Sequence, residues 1–456
     1  TELTEKMGRG SLIVLGLGAL FGTADAAFCS GSPDDGERTN DFPIFAAEDT
    51  MTLVKSIENA KLYEAGPDNA RFNVLHVYGS PYEMGLAQGT ILADEMKTFM
   101  KGTFDYLLEE GLDSMGDLLP ESVQKMILSV GAMAALEENA KLTAPFTPQS
   151  YFDEIQGLAD GSGIPYKTIL ELNMIPEITK ASCSFFGAWG DATSESTGHT
   201  YQLRALDYVT DCDAFTNYGM LTVYHPSWEG GVAHTAIGWP GMVGVLTGFN
   251  EQQIGISEIG VSFPDDSFGQ GTADTPPEKV RGQPWMSVLK DVAQSATSLD
   301  TALTIIEEAD RTCNLIIGVG SGKDAVANGV EYSGYVAVPY NDTTLLPVND
   351  TWHAQIDSVV YNGMDWDCPG YTSKLHDELA KYHGSIDAET TVGNILPTVQ
   401  TGNLHIMVSD LTASQIHISF LRHTDANESE PLYAYERQFT KFDMTTLFAL
   451  PNNSSL

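Results

Sequence analysis

The chain has 456 residues, 42% hydrophobic and 19% charged, with 62 Asp+Glu against 23 Lys+Arg and a formal net charge of −39. That length buries a large core, as one big domain or as two to three smaller ones. So acidic a balance argues against a nucleic-acid binder and against electrostatic docking on anionic membranes, both of which need a basic footprint. It fits an acidic compartment or a salty exterior, and equally a well-solvated surface.

In chain order, Met7-Gly8-Arg9 precedes the apolar run "SLIVLGLGALFGTADAAF", with small residues at Ala24 and Ala26. This predicts a secretory signal over 1–27, removed near Ala26–Ala27. The run is short of the roughly 20 apolar residues a spanning helix needs, and a retained anchor is the alternative. Residues 28 to 70 read as polar and irregular. Phe72 to Tyr78 reads as a strand. Pro81 then opens a long helix with Met84, Ala87, Ile91, Met96, Met100 and Leu107 at helical spacing, a stripe read as core. Further helices are expected over Ser122 to Leu142, Tyr151 to Ala159 and "YKTILELNMIPEI". Residues 28–182 therefore read as a mainly helical segment.

After Cys183 the runs become short and β-branched: "TYQLRALDY", "GMLTVYH", "GVAHTAIGW", "IGISEIG", "NLIIGVG", "LHIMVSD" and "QIHISFLR". Hairpin turns are expected at Asn250–Gln253 and near Thr412. Helices are expected over Trp285 to Gln294 and Leu299 to Ala309, the latter capped by Ser298. Helices grouped apart from mainly antiparallel strands point to an α+β layered domain over 183–456.

Five cysteines, Cys29, Cys183, Cys212, Cys313 and Cys368, leave one thiol unpaired if the chain is secreted. With no C-x-x-C and no His/Cys cluster, a zinc site is not expected. Sequons at Asn341, Asn349, Asn427, Asn452 and Asn453 agree with passage through a secretory lumen.

A catalytic thiol needs a base, an oxyanion stabiliser and a means of lowering its pKa. One route makes the cysteine the first residue of a new chain, so that its own α-amino group serves as base. The segment "SCSFFGAWGDATSESTGHTYQLRALDY" resembles the N-terminal-nucleophile cysteine hydrolases of the penicillin acyltransferase, bile-salt hydrolase and acid ceramidase type. Their pattern is a Cys opening a strand, a hairpin, then Arg-Asn-x-Asp. "GFNEQQIGISEIG" is similar to their G-x-N-E-x-G segment, and "GSPYEMGLAQG" and "GLADGSGIPYKTILELN" to the helical pro-region of the acyltransferase-type members. The resemblance implies a four-layer αββα sandwich, self-cleavage between Ser182 and Cys183, and no need for a metal or an organic cofactor. It implies that Arg204 activates Cys183, that Asp207 holds the new α-amino group, and that Asn250 contacts oxyanion or substrate. Two positions depart from the pattern. Ala205 stands where the family has Asn, and "DTWHAQ" carries Trp352 where an oxyanion Asn is expected, leaving Asn362 or Asn250 as substitutes, with His353 adjacent.

The expected function is a secreted or lysosomal amidohydrolase or acyltransferase. It would cleave an N-acyl amine, ceramide-like or phospholipid substrate through a thioester, with a small acylated partner and a homo-oligomer as the assembly option. Two alternatives stand beside it: a catalytically impaired relative acting as a structural or binding protein, and a papain-like protease using His353 or His405, whose cysteine motif is missing.

Overall fold

A computed structural model describes residues 31–42, 44–47, 51–109, 131–179, 181–261, 264–269, 279–364, 366, 368–424 and 427–452. The expected signal segment, Cys29, the start of the Ser122 helix and Asn453 lie outside the described residues. Two large sheets dominate. The seven-stranded sheet runs Phe45–Ala46, Thr440–Asp443, Gln415–Phe420, His405–Asp410, Tyr201–Asp207, Ser182–Ala188, Val359–Asn362. The ten-stranded sheet runs Ala337–Tyr340, Val326–Ser333, Asn314–Ser321, Ile254–Gly260, Gly248–Asn250, His234–Gly238, Met220–Pro226, Phe72–Gly79, Ala60–Ala65, Thr52–Ile57.

The sheets pack face to face, with Ile254–Gly260 against Ser182–Ala188 and Tyr201–Asp207. Leu221, Ile237 and Phe249 of one sheet join Met407, Ile416 and Ile418 of the other in a buried cluster. Pro81–Ile91, Trp285–Ser295 and Leu299–Glu308 cover the ten-stranded sheet, and Pro369–Lys381 covers the seven-stranded one. The result is the expected αββα layering. Central strands carry apolar side chains on both faces because both are covered. Among the described residues, no helix is long and apolar enough to cross a membrane.

The segment before Cys183 is less separable than its sequence suggested. Thr52–Ile57 and Ala60–Ala65 form a hairpin where a loop was expected. With Phe72–Gly79, which pairs in parallel with Met220–Pro226, they complete one edge of the ten-stranded sheet. Residues 28–182 are therefore partly sheet.

The long Pro81 helix is two helices, Pro81–Ile91 and Ala93–Glu109, with a break at Leu92. The first starts at a capping box formed by Ser80 and Glu83. It lies in backbone contact with Gln149–Ser162. A Cβ on Gly85 would meet the Glu154 carbonyl oxygen at 2.1 Å, and one on Gly157 would meet the Tyr82 carbonyl oxygen at 2.2 Å. The "GLAQG" and "GLADG" repeats are therefore the facing surfaces of a close helix pair.

Candidate active site

Cys183 is the second residue of Ser182–Ala188, which pairs antiparallel with Tyr201–Asp207. The register sets Cys183 opposite Leu206 and Phe185 opposite Arg204, so Cys183 and Arg204 are diagonal neighbours on one face. His405 is opposite Leu206 on the next strand, so it shares that face. The face is the inner one, against the ten-stranded sheet.

Arg204 is buried and its guanidinium is caged. Nε donates to the Glu258 carbonyl at 3.3 Å, and Nη2 donates to the Glu258 carboxylate at 3.2 Å. Nη1 donates to His405 Nε2 at 3.0 Å. Nη2 also donates to Cys183 Sγ at 3.4 Å. Thr247 Oγ1 is 3.1 Å from the same His405 nitrogen. A buried arginine needs such an arrangement, since an unpaired charge is costly out of water. Burial, and then the Arg204 charge, push the His405 pKa well below its usual value, so the ring is neutral and accepts from arginine. Burial also pushes the Cys183 thiol up to about 12, against the pull of Arg204. In the intact chain the sulfur is therefore a thiol.

Asp207 lies on the opposite face. Its carboxylate accepts from Thr401 Oγ1 at 2.7 Å and from the backbone N–H groups of Gly402 at 2.7 Å and Asn403 at 2.9 Å. Ser184 Oγ lies 2.7 Å from Thr401 Oγ1, which extends the network to the strand of Cys183. Burial lifts the Asp207 pKa to about 6, and these hydrogen bonds oppose the rise. Ser182 stands opposite Asp207 in the register, which brings the carboxylate strand alongside the Ser182–Cys183 peptide bond.

A largely apolar cleft opens over this floor. Arg204 and Glu258 are its charged lining residues, and Trp239, Trp285, Phe215, Met242, Leu246 and Leu315 form apolar walls. Thr179 and Ala181, just ahead of Cys183, also line it. Cys183 itself has no exposed surface. The chain leading into Cys183 thus lies beside the cleft, with the sulfur beneath.

Other expected site residues are spent elsewhere. Asn250 donates to the Ala293 and Ala296 carbonyls and accepts from the Gln252 and Ile254 N–H groups. Those four bonds exhaust its amide, so it ties the hairpin to the end of Trp285–Ser295 and has no donor left for an oxyanion. Asn362 accepts from Tyr340 Oη at 2.6 Å and donates to the Leu346 carbonyl at 3.2 Å. Trp352 stacks on His353, whose Nε2 is 2.9 Å from the Tyr361 carbonyl. Burial lowers the His353 pKa to about 4. None of these four residues lines the cleft. The papain-like alternative fails on the same geometry, since His405 addresses Arg204 and His353 addresses a carbonyl.

The cysteine count also needs correction. Cys368 is disulfide-bonded, whereas Cys183, Cys212 and Cys313 form no disulfide. Asn341 and Asn349 sit in turns and accept from the hydroxyls of Thr343 and Thr351 in their own sequons. Asn452 is exposed, and Asn427 opens the short strand Asn427–Leu432. Glu258 also belongs to the Arg204 cage. Its signal was present: "IGISEIG" carries one carboxylate in a strand otherwise fit for burial, and "YQLRALD" carries the matching cation.

No protein-family model matches the chain. Among solved structures, it is similar to a Caenorhabditis elegans N-acylethanolamine-hydrolyzing acid amidase ortholog. That similarity covers 55% of this chain and 99% of that one, at 13% identity and a TM-score of 0.37. Among curated proteins, it is 33% identical to Dictyostelium discoideum protein dcd1B over 423 residues, 90% of this chain and 81% of that protein. It is 34% identical to Dictyostelium discoideum protein dcd1A over 434 residues, 91% of this chain and 94% of that protein. The chain belongs to the family of dcd1A and dcd1B.

Proposed function

We propose that this chain is a self-processing cysteine amidohydrolase with Cys183 as nucleophile and an acyl amide or ester as substrate. The observation that carries the reading is the Arg204 Nη2 donor on Cys183 Sγ at the floor of an apolar cleft. In the first turnover, Sγ attacks the Ser182 carbonyl carbon. The S–C bond forms, the C–N bond breaks, and the thiol proton ends on the departing nitrogen. Water then cleaves the thioester, which leaves a Ser182 carboxylate and restores the thiol.

The new α-amino group titrates near 7.7–8.0, so an appreciable fraction is neutral at pH 7 and serves as base. Asp207 already accepts three hydrogen bonds and keeps capacity for one from the α-ammonium. Substrate enters with its acyl chain on the apolar walls. The thiolate, stabilised by Arg204, attacks its carbonyl, the α-ammonium protonates the leaving amine, and water or an acceptor amine releases the acyl group. The Cys368 disulfide agrees with an oxidising lumen or exterior as the site of action.

The test is a reducing denaturing gel with N-terminal sequencing, paired with hydrolysis of an N-acyl amine. Two fragments, one of them with its N-terminus at Cys183, and loss of both cleavage and activity in Cys183→Ala, are expected. An intact wild-type chain at acidic and neutral pH, with no Cys183 labelling by a thiol-reactive acyl mimic, sinks the reading. One observation favours a non-catalytic relative instead: the amides of Asn250 and Asn362 are already engaged. The same intact, unlabelled chain would establish that alternative.

A further inference from the structure

We propose that His405 is a positioning residue: it holds the Arg204 guanidinium in the orientation that aims Nη2 at Cys183 Sγ. The proposal rests on the cysteine-nucleophile reading. Arg204 reaches across from one sheet to the other, and Glu258 alone does not fix its plane. Nε and Nη2 both bond to Glu258, through its carbonyl and its carboxylate, which leaves Nη1 to be held from the opposite side. His405 Nε2 does so at 3.0 Å.

The tautomer follows from the geometry. Nε2 accepts from Nη1, so it carries no proton, and the ring proton sits on Nδ1. Nδ1 is buried without a hydrogen-bond partner, while the ring stands 5.9 Å from Trp239 and 5.9 Å edge-on from Phe420. A protonated ring would repel the arginine, because the Nε2 proton and the Nη1 donor would meet head to head. The groups facing it are Arg204 and Thr247, neither of them acidic. Trp239 lines the cleft, so His405 also links the arginine to a substrate-contacting wall.

A misplaced group costs about 100-fold in rate for an ångström of displacement, and that is the loss expected when the acceptor is removed. The experiment compares His405→Leu with His405→Gln, whose carbonyl restores an acceptor near the Nε2 position. His405→Leu should lower kcat far more than it raises KM, by about 100-fold. It should also move the pH profile for Cys183 alkylation to higher pH. His405→Gln should recover most of both.

A crystal structure of His405→Leu in a Cys183→Ala background supplies a readout independent of turnover. The guanidinium should rotate away from position 183. If it stays in place, or if His405→Leu folds with a wild-type alkylation profile, the proposal is overturned. If Cys183→Ala retains hydrolysis, the nucleophile reading fails, and the rotation of Arg204 still decides whether His405 positions it.

Discussion

Arg204 and Glu258 form a buried pair at the floor of the cleft. Exchanging such a pair for apolar residues of similar volume is often neutral or stabilising, whereas removing one partner costs about 3–5 kcal/mol. Glu258→Leu alone strands a guanidinium at the cleft floor and should lose stability in that range. Arg204→Met with Glu258→Leu should recover most of it by urea unfolding, yet remain uncleaved and inactive. Recovery of cleavage in the double variant would mean that the pair is only a strut. At this scale the sequence was legible where neighbours are local. The spacing from Cys183 to Arg204 is one hairpin, and the register delivers the contact. Glu258 and His405 come from strands 54 and 201 residues further on than Arg204, and only sheet packing brings them in. Asn250 misled because a turn asparagine with all four bonds satisfied has the same letter as one aimed at a substrate.

Elements carry the link between the segments on either side of Cys183. Gln149–Ser162 lies before Cys183, yet Glu154 on it forms a buried ion pair with Lys290 of Trp285–Ser295. Lys290 also donates to the Val243 carbonyl at 2.9 Å and stands over the Tyr224 ring at 4.4 Å. Asn173 bonds both Gly241 and Val243, and Glu177 accepts from the Trp285 N–H at 2.7 Å. With the sheet continuous through Phe72–Gly79, cleavage at 182 should leave both fragments in one particle. Size exclusion should give the mass of the uncut chain, and denaturant should separate the pieces. Gly85→Ala tests the same assembly from its tightest point. Its Cβ would lie 2.1 Å from a backbone oxygen of the residue that pairs with Lys290. A loss of 1–3 kcal/mol or more is expected in thermal unfolding, since backbone cannot yield as a side chain does. The helix pair was readable as two helices. The hairpin Thr52–Ile57/Ala60–Ala65 was not, because the edge strand Thr52–Ile57 is exposed at nearly every position and so has no apolar–polar alternation to read. Its one clear signal was the two-residue Glu58-Asn59 turn, where Asn59 adopts φ 61°.

The whole molecule sets two groups of titrating residues against each other. Burial lifts the carboxyl pKa values of Asp207, Asp291 and Glu331, so the folded state holds these protons more tightly than the unfolded chain does. Their contribution to stability is greatest at acidic pH and declines as pH rises; for Asp207 the decline runs from about 4 to about 6. The histidines work the other way. Burial lowers the pKa to about 3 at His76 and His234 and to about 4 at His225, His353 and His417, with His405 also depressed. The unfolded chain takes up protons at these sites from about pH 6.5 downward while the folded one does not, so stability falls as pH falls through that range. Near pH 5 each such histidine costs about 2 kcal/mol at 1.4 kcal/mol per pH unit, whereas Asp207 returns only about 1.4. Relief of repulsion among surface carboxylates comes later, since they keep their charge until nearer pH 4. The histidines therefore win between pH 6.5 and 5, and Tm should fall across that interval despite the net charge of −39. At pH 7 added salt should raise Tm, because it screens that repulsion. Asp207→Asn should steepen the acid-side fall by removing one compensating group, and His417→Gln should flatten it. A wild-type Tm that climbs steadily from pH 6.5 to 5 would mean that carboxylate protonation governs the fold and that the buried histidines are more open to water than their packing implies.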